Sequence, residues 1–72
     1  MNEVENLFKK INEIKSHFHF SMDIYYNDLD NTFVVKLLLI KYDFEKSGTK
    51  HFRNFKLIDS MLDAYIFLKS EI

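Results

Sequence analysis

The sequence predicts one small α+β domain over residues 1–72, in which two helices cover one face of a three-stranded antiparallel sheet. Two changes of pattern predict the order helix, strand, strand, strand, helix. Apolar residues recur every three or four positions at the start of the chain and every second position from Phe18 onward. Clusters of turn-forming residues then divide the remaining chain.

The first helix is expected over residues 2–16. Its apolar residues form one stripe along a helix: Val4, Leu7, Phe8, Ile11 and Ile14. Glu3 and Glu5 lie near its beginning and Lys15 near its end, where the helix dipole favours these charges. The pattern predicts an amphipathic helix with one buried side.

The first strand is indicated by alternation. Its apolar set is Phe18, Phe20, Met22, Ile24 and Tyr26, and the intervening set is His17, His19, Ser21, Asp23 and Tyr25. Such alternation is typical of a strand with one buried face. Residues 27–31 contain four Asn or Asp residues and predict a hairpin loop.

The second strand is expected from Thr32 to Asp43, where β-branched and aromatic residues are frequent. Residues 47–49 include the single glycine of the chain and predict a turn. A short third strand over residues 50–58 and a final helix capped by Asp59 or Ser60 complete the prediction.

An alternative begins the last helix near Asn54 and leaves only two strands. Three strands are favoured, because a two-stranded ribbon is a poor support for two helices.

The second strand is apolar on both sides, so Lys36 decides which side is open. Burial of an unpaired ammonium group is costly, and the side with Lys36 is therefore predicted to face away from the helices, with Leu37 in the core. The open face is expected to include His19, Asp23 and Asn54 besides a predicted partner-binding set. That set is Tyr25, Val34, Lys36, Leu38, Ile40, Tyr42, Phe52 and Lys56.

An apolar centre with a polar and aromatic rim is typical of a protein interface. The alternative is that a terminus, a loop or the second helix folds over this face and buries the strand completely.

Charge is balanced overall, with a net charge of −1, but it is segregated along the chain. Lys46, Lys50, Arg53 and Lys56 form a basic stretch, while Asp23, Asp28 and Asp30 surround the first hairpin. The basic stretch and exposed aromatic residues permit contacts with single-stranded nucleic acid. The near-neutral charge opposes such binding, which depends on phosphate neutralisation, and both patches are also compatible with ordinary solvated loops.

No enzyme activity, cofactor or metal is predicted. His17 and His19 would lie on the same side of a strand, and His51 is distant in sequence. No acidic residue or cysteine completes a set of zinc ligands at a fixed spacing. No serine or threonine is paired with a base by a known motif, and the glycine-rich phosphate loops are missing from the sequence.

The expected location is the cytoplasm. The sequence has no cysteine, and its first twenty residues are amphipathic, without the basic start and the apolar run of a signal peptide. Its apolar runs, such as Leu37 to Ile40, are too short for a membrane span.

The element order resembles the double-stranded RNA-binding fold over most of the chain. Members of that family begin the last helix with a lysine-rich segment, whereas residues 59–64 here read Asp-Ser-Met-Leu-Asp-Ala, so duplex binding is not implied. In size and composition the chain is similar to small anti-defence proteins of phages and mobile elements, including anti-CRISPR proteins. This resemblance, which is one of size and composition, implies a viral protein that inhibits by stoichiometric binding in the host cytoplasm.

The leading hypothesis is a non-catalytic binding module that inhibits or regulates a larger macromolecule. A protein partner is expected, such as a nuclease or a nucleoprotein complex. The alternatives are a small nucleic-acid-binding regulator and a homo-oligomeric structural module, such as a homodimer.

Overall fold

The computed structural model describes residues 2–17, 19–40 and 48–71, with only the backbone of Ile40. The elements are α1 (Glu3–Ile14), β1 (His19–Asn27), β2 (Thr32–Ile40), β3 (Gly48–Asn54) and α2 (Leu57–Ser70). The predicted α+β class and its order with three strands are confirmed. The predicted strand positions Phe18 and 41–43 lie outside the described residues.

Helix α1 begins where a side chain satisfies its first turn. Asn2 is the N-cap, and its Oδ1 accepts a hydrogen bond of 2.8 Å from the backbone N–H of Glu5. The helix ends two positions earlier than predicted, because the backbone N–H groups of Lys15 and Ser16 bond to carbonyls three residues back in a tightened last turn. The buried side of α1 carries Leu7, Ile11 and Ile14.

The sheet has the order β1-β2-β3, and both neighbouring pairs are antiparallel. The predicted hairpin joins β1 to β2. The Oδ1 of Asn27 accepts a hydrogen bond from the backbone N–H of Leu29 at 3.0 Å, and Asn31 has a φ of 58°. Asparagine tolerates this left-handed conformation better than most residues, which explains its use at the end of the turn.

The start of β3 differs from the prediction. Gly48 and Thr49, which were assigned to a turn, belong to the strand, and Ser47 lies outside the described residues. The strand ends at Asn54, so Leu57 and Ile58 begin α2 rather than end β3. Both side chains pack against the core from the first turn of the helix.

The predicted capping of α2 is wrong. The N-cap is Lys56, which makes no side-chain capping bond, and Asp59 lies inside the first turn. The Ser60 side chain is buried, and its Oγ donates a hydrogen bond of 2.7 Å to the carbonyl of Phe33 in β2. The serine therefore links α2 to the central strand instead of closing the end of its own helix.

The core lies between the helices and one face of the sheet. Helix α2 packs on β2 and β3, and α1 packs beside α2. The sheet contributes Phe20, Val35, Leu37 and Leu39, and α2 contributes Met61, Ala64 and Leu68. Among the described residues, no helix has the length and apolar character needed to cross a bilayer.

Candidate functional site

The two faces of β2 differ sharply in exposure. Leu37 is 0% exposed and packs in the core, whereas the next residue, Leu38, is 42% exposed on the opposite face. Lys36 is half-buried on the same side as Leu38. The orientation that Lys36 predicted for this strand is therefore confirmed, and we call the side away from the helices the open face.

Pairing across the sheet arranges the open face in three rows. The first row is Ser21, Leu38 and Thr49, the second is Asp23, Lys36 and His51, and the third is Tyr25, Val34 and Arg53. Each row takes one residue from β1, one from β2 and one from β3. The first row therefore has one apolar residue, the middle row is polar throughout, and the third row places an aromatic and an apolar residue beside an arginine.

The apolar part of the open face is smaller than the sequence predicted. Tyr25 and Leu38 are each 42% exposed, but Val34 is 0% exposed. Val34 lies on the central strand, where its register partners on the outer strands are Tyr25 and Arg53. A partner on this face therefore meets Leu38 and Tyr25 first. The Ile40 side chain and Tyr42 lie outside the described residues.

Phe52 and Asn54 do not lie on the open face, and their predicted placement there is wrong. Phe52 pairs with Val35 and packs against the core, with its ring centroid 5.7 Å from that of Phe67 in α2. Asn54 donates a hydrogen bond of 2.8 Å from Nδ2 to the Asp63 carboxylate of α2. Both residues therefore serve the contact between β3 and α2.

His51, Arg53 and Thr49 occupy the open face instead, and the sequence prediction had not placed them there. The signal was present in the alternation of β3: Phe52 is apolar and its two neighbours are polar. In a half-buried strand the apolar residue points to the core, and its neighbours point to solvent. Lys56 is exposed at the N-cap of α2, outside β3.

The folded chain partly joins the two charged patches. The Arg53 guanidinium lies 3.6 Å from the Asp30 carboxylate, and both side chains are about half exposed. Asp23 and Asp28 are also exposed. Lys50 belongs to the opposite side of the sheet, where its Nζ is 5.9 Å from the Phe67 ring centroid. The basic stretch is therefore divided between two faces, and Lys46 lies outside the described residues.

The histidines are distributed over two regions. His17 is exposed in the turn after α1, while His19 and His51 belong to the open face on the two outer strands. Within residues 2–17, 19–40 and 48–71, no three side chains of acidic residues or histidines are grouped as a metal site would require.

Comparison with protein-family models, with curated proteins and with solved structures gave no match for this chain.

Proposed function

We propose that this protein is a non-catalytic binding module that inhibits or regulates a larger macromolecule through its open face. The observation that supports this most directly is the exposure of Leu38 in the middle of the central strand, on the side of the sheet that neither helix covers. Tyr25 lies on the same face with equal exposure, and the row of Asp23, Lys36 and His51 lies between the two. Exposed aliphatic and aromatic side chains interspersed with charged ones suit a protein interface.

The size of the open face limits how it would bind. A nine-residue strand such as β1 or β2 is about 30 Å long and three strands are about 14 Å wide, which gives a face of about 400 Å². A stable protein complex usually buries about 800 Å² on each partner. The proposed interface therefore extends beyond the sheet, and the adjoining hairpin at residues 28–31 offers further exposed surface.

The proposed target class is a component of host defence, such as a nuclease or its nucleoprotein complex. This part of the proposal rests on the similarity in size and composition to anti-CRISPR proteins. A small binder of this kind acts by occupying a surface, so inhibition would rise in proportion to the amount of protein until a fixed ratio is reached.

An affinity pull-down with identification of the bound component tests the proposal. Leu38→Lys and Tyr25→Ser are expected to lose the partner, whereas Leu62→Ser is the matched control that retains it, since this leucine is 44% exposed but lies on α2, away from the open face. Titration of the partner's activity should then reach its limit at a fixed molar ratio. Complete loss of activity at a small fraction of that ratio would contradict a non-catalytic mechanism.

A small nucleic-acid-binding regulator is the second candidate, because Lys36, His51 and Arg53 share the open face with Tyr25. Asp23 in the same rows and the Asp30 carboxylate beside Arg53 reduce the positive field that phosphates would meet. Binding to single-stranded nucleic acid should weaken steeply as salt is raised, because counterion release sets the slope. Binding through Leu38 and Tyr25 should change little over the same range.

A further inference from the structure

Helix α2 carries a second exposed apolar surface, on the side that faces away from the sheet. Leu62 is 44% exposed and Ile66 is 58% exposed, while Met61, Ala64 and Leu68 of the same helix are fully buried. Asp59 precedes this pair by three positions and Lys69 follows it by three, and both are exposed. Spacings of three, four and three place all four side chains on one stripe of the helix.

The stripe is symmetric about Ala64. Leu62 and Ile66 lie two positions on either side of it, and Asp59 and Lys69 lie five positions on either side. When such a helix pairs with an antiparallel copy of itself, each residue lies opposite its mirror position. The two apolar residues then meet, and each aspartate meets a lysine.

We propose that α2 is the surface through which two copies of this chain form a two-fold symmetric dimer. Leu62 packs against Ile66 of the second copy, and Asp59 pairs with Lys69 of the second copy. The two-fold axis makes every contact occur twice. Within the described parts of the chain, neither the Asp59 nor the Lys69 side chain is paired with another charge, so both are available for these contacts.

The surroundings of Leu62 provide room for the partner side chain. A groove of about 310 Å³ lies between the two helices and is lined by Glu3, Asn6, Leu7, Lys10, Ile58 and Leu62. In the antiparallel arrangement Ile66 of the second copy lies opposite Leu62 and therefore beside this groove. Facing helices usually approach to about 8–10 Å, a distance at which such side chains interdigitate.

The dimer leaves the open face free. The stripe of α2 and the open face lie on opposite sides of the sheet, so a two-fold pair presents two open faces directed away from each other. The inference is independent of the proposed function, because the two surfaces share no residue.

Sedimentation equilibrium from about 10 µM to about 1 mM tests the proposal, since one helix pair is smaller than a standard interface and corresponds to a weak dimer. The unmodified protein is expected to dimerise. Asp59→Lys places lysines opposite each other twice, and Lys69→Asp does the same with aspartates. Each change is expected to raise the dimer dissociation constant about tenfold or more.

Mixing the two variants is the decisive experiment. In a mixed pair, the lysine introduced at position 59 faces the aspartate introduced at position 69, and the unchanged Lys69 faces the unchanged Asp59. Dimers are therefore expected to return on mixing. Glu5→Lys is the matched control, since it reverses an acidic residue in the first turn of α1 without touching the stripe, and it should leave dimerisation unchanged.

The helical circular dichroism of each variant checks its folding. Leu62→Asn removes the apolar contact instead of the charge pairs and is also expected to weaken the dimer. The proposal is overturned if the unmodified protein stays monomeric throughout the concentration range. It is equally overturned if the single variants still dimerise, or if mixing them restores nothing.

Discussion

The two faces of the sheet are built from neighbouring residues and have different roles. The helix face of β2 presents Val35, Leu37 and Leu39 to the core, and the open face presents Val34, Lys36 and Leu38. Leu37 and Leu38 have the same side chain and adjacent positions, yet only Leu38 meets solvent. The type of a residue in a central strand does not determine whether it is buried. Its exposure depends on which elements pack against its face of the sheet.

The largest expected effect comes from placing the same charge on the two faces. Leu37→Lys buries an unpaired ammonium group in the core and should cost several kcal/mol, about the whole stability of a domain of this size. Leu38→Lys changes a partly exposed residue and should stay within about 0.5 kcal/mol. Thermal and urea unfolding of the two variants measure the difference.

The control is Leu38→Ala, which separates the loss of the leucine from the added charge. If Leu38→Lys unfolds the protein and Leu37→Lys does not, the assignment of the two faces is inverted. The proposed binding surface would then belong to the core.

A smaller difference is expected between two serine hydroxyls that both donate to main-chain carbonyls. Ser60 is buried on the helix side of the sheet and bonds to Phe33 at 2.7 Å, whereas Ser70 is exposed and bonds to Phe67 at 2.6 Å. Ser60→Ala should cost about 1–3 kcal/mol, because it removes a hydrogen bond between a fully buried side chain and a carbonyl in a partly buried site. Ser70→Ala should cost less than about 0.5 kcal/mol, as water replaces the lost hydroxyl.

Urea unfolding of both variants measures these costs. Equal losses would show that the bond between Ser60 and Phe33 does not hold α2 to the sheet.

The fold was predictable because several local signals agree. The spacing of Leu7, Ile11 and Ile14 specifies the buried side of α1, and alternation from Phe20 to Tyr26 specifies β1. Lys36 gave the orientation of β2, since a charged group resists burial wherever its neighbours are apolar. The boundaries of β3 and α2 were harder to predict, because Lys56 caps the helix without a side-chain bond and Ser60 resembles a cap while bonding to β2.

The open face was only partly predictable for a different reason. Its membership depends on the register of β3, which the sequence specifies through a single apolar residue, Phe52, among polar neighbours. The full burial of Val34 beside the exposed Leu38 is not marked in the pattern of β2, and the contact between Arg53 and Asp30 joins segments far apart in sequence. Such long-range arrangements leave no periodic signal in one stretch of chain.

The smallest expected effect concerns the charges on the open face. Arg53 and Asp30 are 3.6 Å apart with exposed side-chain fractions of 52% and 43%, so water screens their attraction. A double-mutant cycle with Arg53→Ala and Asp30→Ala should give a coupling energy of about 0.2–1 kcal/mol. Raising the salt concentration to about 1 M should remove most of it, because the screening length falls to about 3 Å.

Arg53→Ala alone should cost more than that coupling energy, because Arg53 is in register with the buried Val34 and we expect its stem to cover that residue. Arg53→Met keeps most of the stem without the charge and is the matched control. It should be more stable than Arg53→Ala by the part of the cost that is due to the stem. If Arg53→Met and Arg53→Ala are equally destabilised, the stem contributes nothing and the charge alone accounts for the role of Arg53. The burial of Val34 would then be due to Tyr25 and the neighbouring backbone.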